Sequence, residues 1–239
     1  MGKLIEPQRK IKPISLLRVI RKLPPEQGIA AKAQIINYSS RKRLLDLTVS
    51  FFALLFIFSW LFPLLAILIR ITSKGPIFYI QSRNGCNDQI INCYKFRTMT
   101  WHGNEDESIS SKYQQATKND DRITAFGSFL RKTSLDELPQ IWNVLMGEMS
   151  LVGPRPHPLK LNEESEKNID NYSLRYLAKP GITGWAQVNG ARGGTKQPGS
   201  MERRVELDIW YINNWSFMLD IKIIFKTVIN VFIGDKNAY

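Results

Sequence analysis

The chain has 239 residues, 44% of them hydrophobic, enough to bury a core as one catalytic unit with an appendage. Its 33 lysines and arginines against 21 acids leave a formal charge of +12, which calls for an anionic partner: nucleic acid, anionic lipid or a phosphorylated substrate. Two cysteines, Cys86 and Cys93, with His102 and His157 as the other soft ligands, are too thin for a zinc site and a weak basis for a disulfide framework; they read as reduced thiols facing the cytosol.

In chain order, residues 1–40 form a basic N-terminal extension. Residues 14–22 have the pattern of a short surface helix, Pro24-Pro25 stops it, and residues 26–40 read as linker. Leu44 to Ile69 then carries only Asp46, Thr48, Ser50, Ser59 and Pro63 as non-apolar positions. A straight helix of that length reaches roughly 39 Å, more than the roughly 30 Å hydrocarbon core. The forty residues ahead of it, with no small-residue cleavage site behind, exclude a signal peptide, so the chain is expected to be membrane-attached. Arg41-Lys-Arg43 precedes the segment and Arg70 and Lys74 follow it, and a single crossing cannot keep both basic ends on the cytoplasmic side. Pro63 breaks a helical hydrogen bond and allows a limb from Leu44 to Phe62 to enter and a shorter limb to return. A spanning helix with a proline kink competes on equal terms. On this reading the membrane segment is 41–74 and a catalytic domain fills 75–239.

After Gly75-Pro76, residues 77–81 and 90–96 read as a β-hairpin. Residues 101–119 are polar surface loop, 157–178 a charged helix or loop, and 180–190 a turn-rich strand segment with Arg192-Gly-Gly194 as a flexible loop. From Arg203 to Phe232 the pattern is helical. Trp210, Tyr211, Trp215, Phe217 and Met218 crowd its first half, and Lys222 and Lys226 lie opposite an apolar stripe. Core packing explains most of these; an interfacial amphipathic helix is the sharper alternative. The expected fold class is α+β, helix-dominated, with a small hairpin and interfacial helices around a cytosolic core.

The chemistry concentrates in Arg131-Lys-Thr-Ser-Leu-Asp-Glu-Leu-Pro139 and Gly153-Pro-Arg-Pro156. Adjacent carboxylates, Asp136 and Glu137, stand at an expected helix start, with arginines five residues before Asp136 and nineteen after. Carboxylate, divalent ion and guanidinium are what phosphoryl transfer needs: a nucleophile, a metal and cations for the charge on phosphate oxygens. Ser134-x-x-Glu137 also matches a capping box, in which both acids merely start a helix. Pro139 then falls at the fifth helical position and leaves the Leu135 carbonyl unpaired, while a cap at Asp136 strips Glu137 of that duty. Neighbouring helical residues point about 100° apart, so the two acids cannot share one job; one nucleophile and one metal ligand is a natural division, and on local pattern alone the capping reading stays open beside it.

Seven strings in order resemble the bacterial sugar transferases known as monotopic polyprenyl-phosphate phosphoglycosyl transferases: Lys42-Arg-Leu-Leu-Asp46, Gly75-Pro-Ile-Phe78, Tyr94-Lys-Phe-Arg-Thr98, Asp121-Arg-Ile-Thr124, Leu130 through Gln140, Met149 through Pro156, and Pro180-Gly-Ile-Thr-Gly-Trp-Ala-Gln187. The resemblance runs from about residue 41 to the C-terminus. It implies that Asp136 attacks the β-phosphate of a UDP-sugar, expelling UMP, and that polyprenyl (undecaprenyl) phosphate then takes the sugar phosphate from the aspartyl adduct. Glu137 would hold Mg²⁺, and Arg131, Arg155 and Arg192 would contact phosphate oxygens. The resemblance also favours a re-entrant hairpin broken at Pro63, with the catalytic domain on the cytoplasmic face of the bacterial inner membrane, against an anionic bilayer. It implies no nucleic-acid partner and leaves homo-oligomerisation open. The Trp185 to Gly194 loop and the Lys236-Asn-Ala-Tyr239 ending look more like members that transfer glucose 1-phosphate than galactose 1-phosphate. Phe62-Pro63 replaces the family's frequent Ser-Pro, removing a hydroxyl that pairs a freed carbonyl, and Asp120-Asp-Arg122 replaces Asp-Pro-Arg. Two rivals differ in kind: a basic membrane-tethered binding protein whose acids are only caps, and a hydrolase that passes the sugar phosphate to water.

Overall fold

The computed structural model describes residues 24–101, 116–117, 120–195 and 197–233. The expected surface helix at 14–22, most of the 101–119 loop and the 236–239 ending lie outside the described residues. Helix α1 spans Pro25–Asn37, starting at a proline whose missing N–H falls where a helix has no acceptor for it. Ile29, Ala33 and Ile36 recur at helical spacing, are buried, and share the main core with Tyr211 and Ile212. The linker expected at 26–40 is therefore a core helix over most of its length. Its apolar stripe is only three residues wide and sits among Gln and Lys, which is why composition suggested a linker.

Helix α2 runs unbroken over Ser40–Thr72, capped by the Ser39 hydroxyl, which accepts from the Lys42 amide at 3.3 Å. It is long and apolar enough to cross a membrane by length and composition, with 17% of its most apolar window buried. Pro63 sits inside it, and the helix widens to a π-helical turn at Leu54–Phe58 just before. There the Ser59 hydroxyl donates to the Leu55 carbonyl at 2.8 Å and the Trp60 indole to the Phe56 carbonyl at 3.0 Å. Those two bonds serve carbonyls of the π-helical turn, not the Ser59 carbonyl that the missing Pro63 N–H leaves free. Lys42, Asp46, Ser50, Phe58, Leu65 and Ile69 are buried, while Leu44, Phe52, Phe56, Trp60, Ile67 and Ile71 are exposed. Both ends of α2 touch the rest of the protein: Lys42 and Asp46 at the start, and Leu65 and Ile69 packed with Phe96 and Leu130 at the end.

Strands β1 (Phe78–Asn84) and β2 (Ile90–Phe96) form the expected antiparallel hairpin, longer in its first strand than expected, so that residues 85–89 make the turn. Helix α3 (Ala125–Thr133), a 3₁₀ turn (Leu135–Gln140) and helix α4 (Ile141–Met146) follow. Strand β3 (Ser150–Val152) pairs in parallel with β4 (Gly181–Thr183), a second small sheet absent from the expectation. Between them lie α5 (Leu159–Asn168) and a 3₁₀ turn (Tyr172–Leu177). After β4 come the short α6 (Trp185–Val188), α7 (Ser200–Asn214) and α8 (Phe217–Ile233). The molecule is helix-dominated, as composition and period implied.

Candidate active site

Two short crossings place the site. The Gly127 Cα packs against the Thr98 backbone so closely that a Cβ would stand 1.9 Å from the Thr98 carbonyl oxygen. That contact brings α3 onto the end of the hairpin, where Arg131 donates from Nε to the Thr98 hydroxyl at 2.8 Å. The second is glycine on glycine: a Cβ on Gly181 would meet the Gly153 nitrogen at 2.1 Å, so β3 and β4 approach as only bare backbone can. The chain leaves β3 through Gly153-Pro-Arg-Pro156 and carries Arg155 into the site.

Asp136 and Glu137 lie in the 3₁₀ turn between α3 and α4, not at the start of an α-helix. Ser134 takes left-handed backbone angles (φ 61°), closes α3 and makes no side-chain cap. The capping box does not form; the Ser134 hydroxyl instead accepts from Arg192 at 2.6 Å. The sequence reading failed here because Pro139 is accommodated by the tighter turn, with no α-helical amide to lose.

Glu137 is gripped from two sides. Arg155 donates through both terminal nitrogens, Nη1 to Oε2 at 2.9 Å and Nη2 to Oε1, and Lys95 Nζ donates to Oε1 at 2.9 Å. Burial alone would push the Glu137 carboxyl up, but Arg155 and Lys95 outweigh it and hold it well below the usual carboxylate range. Asp136 goes the other way. Burial first, then the Glu137 charge, raise it, against the opposing pull of Lys95, Arg131 and Arg155. No hydrogen bond reaches the Asp136 carboxylate from the described residues, so its lone pairs are available for attack.

All five expected site residues, Arg131, Asp136, Glu137, Arg155 and Arg192, therefore converge on one turn. Arg155 commits two of its five N–H groups to Glu137, which leaves three that are not bonded to that carboxylate. Lys95 was given no role from the sequence. The signal was present: Ile91 and Cys93 fill the buried face of β2, and Lys95 continues that face by strand alternation. Burial pulls its ammonium below the usual range, with Glu137 opposing. Asn143 locks this strand to α4, donating to the Asn92 carbonyl at 2.7 Å and accepting from the Tyr94 amide at 3.3 Å.

The start of α2 is bolted to the same framework. Leu151 N and the Ser150 hydroxyl donate to Asp46 Oδ1 at 2.9 and 3.0 Å, and Lys42 Nζ reaches the Val152 carbonyl and Asp220, both at 2.8 Å. Strand β3, which delivers Arg155, is thus held by the helix that carries the apolar surface.

The sequence that builds this arrangement has known relatives. Residues 37–234 match the family described as bacterial sugar transferase. The chain belongs to that family. A UDP-glucose:undecaprenyl-phosphate glucose-1-phosphate transferase of Klebsiella pneumoniae is 50% identical over 198 residues, 83% of this chain and 41% of that protein. One of the same name from Caulobacter vibrioides is 44% identical over 199 residues, covering 83% of this chain and 72% of its own. An exopolysaccharide production protein PSS of Rhizobium leguminosarum is 41% identical over 192 residues, 94% of its length. The chain spans about two-fifths of the length of the Klebsiella relative and of those from Xanthomonas campestris and Escherichia coli. As a sugar transferase family member, it carries the family's match across α2, the hairpin and the Asp136–Glu137 turn alike.

Proposed function

We propose that the chain transfers glucose 1-phosphate from UDP-glucose to undecaprenyl phosphate, releasing UMP, as an early membrane step of exopolysaccharide, capsule or O-antigen assembly. The observation that carries this reading is the buried Asp136–Glu137 pair inside a ring of Lys95, Arg131, Arg155 and Arg192. The relatives named for that reaction support the donor, the acceptor and the preference for glucose over galactose.

The Asp136 oxygen attacks the β-phosphorus of the donor. A new P–O bond to the carboxylate forms as the bond to the bridging oxygen of UMP breaks, and UMP leaves with the electron pair. An oxygen of undecaprenyl phosphate then attacks the same phosphorus, the aspartyl–phosphorus bond breaks, and the carboxylate is regenerated beside a lipid diphosphosugar. The acyl phosphate conserves the energy of the donor's anhydride. Arg131, Arg155 and Arg192 stabilise the charge spread over phosphate oxygens in both steps.

Mg²⁺ fits this donor set. Glu137 is ionised, and with three hydrogen bonds over two oxygens it keeps a lone pair on Oε2, while the diphosphate would fill most of the remaining coordination, as this ion prefers. Glu137 would hold the ion, which supplies charge neutralisation on the diphosphate.

The membrane reading follows from α2. Its exposed apolar side, and the exposed Met218, Phe225 and Val228 of α8, suit burial in an anionic bilayer's interface. Basic residues flank both ends of α2 and both ends touch one protein body, which favours a re-entrant placement at the cytoplasmic face of the inner membrane over a crossing.

The test is to supply UDP-sugars one at a time with Mg²⁺ and undecaprenyl phosphate and to measure UMP. UDP-glucose should give the fastest release, and turnover beyond one equivalent should need the lipid. Continued UMP release without lipid would instead establish the hydrolase, and no release from any sugar would leave the binding-protein reading standing.

A further inference from the structure

His157 lies buried between two guanidiniums. Its Nε2 stands 3.1 Å from Arg204 Nη1, and its Nδ1 stands 2.6 Å from Arg175 Nη1 and 2.8 Å from the Tyr172 hydroxyl. Burial, Arg175 and Arg204 together hold the imidazole well below its usual range, so it is neutral between two cations. Each of those cations holds the backbone of one arginine-bearing loop. Arg175 donates to the Arg155 carbonyl at 2.6 Å and is itself fixed by Asp208 at 2.8 Å. Arg204 donates from Nε to the Ala191 carbonyl and from Nη2 to the Gly193 carbonyl, both at 2.9 Å. Those carbonyls belong to the residues on either side of Arg192.

Arg204 is unusual for a buried cation. It is 4% exposed, and no carboxylate pairs with it among the described residues. Burial, with Arg155 and Arg175 nearby, pulls it down to about 10. A buried cation without a paired carboxylate is expensive even when hydrogen-bonded and with the Asp208 charge nearby. What guanidinium alone offers is a planar fork whose nitrogens reach two carbonyls and a ring nitrogen at once.

We propose that Arg204 is a positioning residue: its fork fixes the backbone on both sides of Arg192 and, through His157, ties that loop to the loop carrying Arg155, so that the two phosphate-binding guanidiniums meet the donor's diphosphate at a set spacing. The inference rests on the proposed donor chemistry, because it assigns Arg204 the task of aiming Arg192. It differs from a purely structural role in one respect. A residue that merely holds the fold changes how much enzyme is active, whereas a residue that acts through Arg192 changes donor affinity, and does so only while Arg192 is present.

The experiment is a double-mutant cycle on the full chain in membranes, reading UMP release and melting temperature. Arg204→Lys keeps the charge and loses the fork. It should raise the KM for UDP-glucose about tenfold, the worth of one charge-assisted hydrogen bond, with kcat within about threefold. Arg192→Ala should raise KM at least as far and lower kcat as well, since its charge is lost, and the double variant should be no worse than Arg192→Ala alone. The exposed neighbour Arg203→Lys serves as the unchanged control. If Arg204→Lys does not fold, Gly193→Ala replaces it. Gly193 has φ +97°, where a Cβ is strained, so the substitution displaces the same loop from its other side and should show the same non-additivity. A KM at the wild-type value, or effects that multiply in the double variant, would overturn the proposal. Should the wild type release no UMP from any donor, the proposed function fails separately. The cycle is then read as the Kd of UDP by calorimetry, where Arg204→Lys must weaken binding in the Arg192 background and not in the Ala background.

Discussion

Asp136 and Glu137 are adjacent in sequence, equally buried, and driven in opposite directions: burial raises the first, while Arg155 and Lys95 hold the second ionised. A carboxyl raised on folding favours the protonated state, so its contribution to stability is fully present below its unfolded value of 3.8 and is lost as pH rises through the folded one. At neutral pH Asp136 is therefore a cost to the fold. Asp136→Asn should lower UMP release at least about 10³-fold while leaving the melting temperature equal or higher. Melting curves and UMP assays on the same preparation check both halves, and a rise in stability with loss of turnover is the signature of a carboxylate kept for chemistry.

The same reasoning fixes the sign of the pH profile. The proposed attack needs ionised Asp136, so the acid limb of kcat/KM should lie above the usual aspartate value. Glu137→Gln removes the neighbouring charge that helps raise Asp136, so in any residual activity of that variant the limb should move to lower pH. A limb that stays in place would mean that a different group sets it.

Glu137→Gln should also weaken the fold. It leaves Arg155 buried with one of its two carboxylate oxygens replaced by an amide, and Lys95 without its salt bridge, with only the Asp136 charge nearby. Removing one partner of a buried pair costs about 3–5 kcal/mol where no relaxation is available. Because Glu137 is lowered on folding, its stabilisation is present above its unfolded value of 4.5 and is lost as pH falls. The variant should therefore lose most stability near neutrality and least in acid, measured as melting temperature against pH.

Lys42→Met tests whether α2 is part of the catalytic body. Lys42 Nζ and Asp220 Oδ2 are 2.8 Å apart, with side-chain exposures of 6% and 0%. Methionine fills similar volume but strands Asp220, whose remaining donors are the Tyr211 hydroxyl and the Trp215 indole. A loss of about 3–5 kcal/mol, or on the order of 10 °C in melting temperature, is expected. The double change Lys42→Met with Asp220→Asn should recover part of it, since neither charge is then left alone.

These residues also show what the sequence could and could not disclose. The hairpin followed from alternation and turn residues, α2 from an apolar run too long to mistake, and the clustering of Asp136 and Glu137 with arginines from their spacing, though the pair was expected at an α-helix start and lies in a 3₁₀ turn. Their signals are local. Helix α1 was missed because its three buried residues gain meaning only when Tyr211 and Ile212 arrive to cover them. The capping box was plausible until Arg192, fifty-eight residues away, claimed the Ser134 hydroxyl. Arg175 and Arg204 drew no reading of their own and His157 was weighed only as a soft metal ligand, since nothing local announces that the two arginines hold carbonyls of other loops and meet at that ring. Pairings across long sequence separations carry no period.

The proposed membrane placement of α2 is tested by the side on which its two ends lie. A crossing puts Glu26 and Lys74, exposed residues on either side of α2, in different compartments; a re-entrant helix keeps both inside. Both ends of α2 are fastened to one folded body, the first through Lys42 and Asp46, the second through Leu65 and Ile69. A body attached to both sides of a roughly 30 Å hydrocarbon layer would itself have to lie in it, whereas the proposed donor, a UDP-sugar, reaches the Asp136 site from water. Glu26→Cys and Lys74→Cys, each in a background with Cys86 and Cys93 replaced by serine and alanine, should both resist an impermeant thiol reagent in intact cells and both react in inverted vesicles. Labelling of either position from outside would place α2 across the membrane. Charge on its exposed side gives an independent reading: Phe56→Lys should weaken retention in carbonate-washed membranes, whereas the same change at Tyr38, exposed but outside α2, should not.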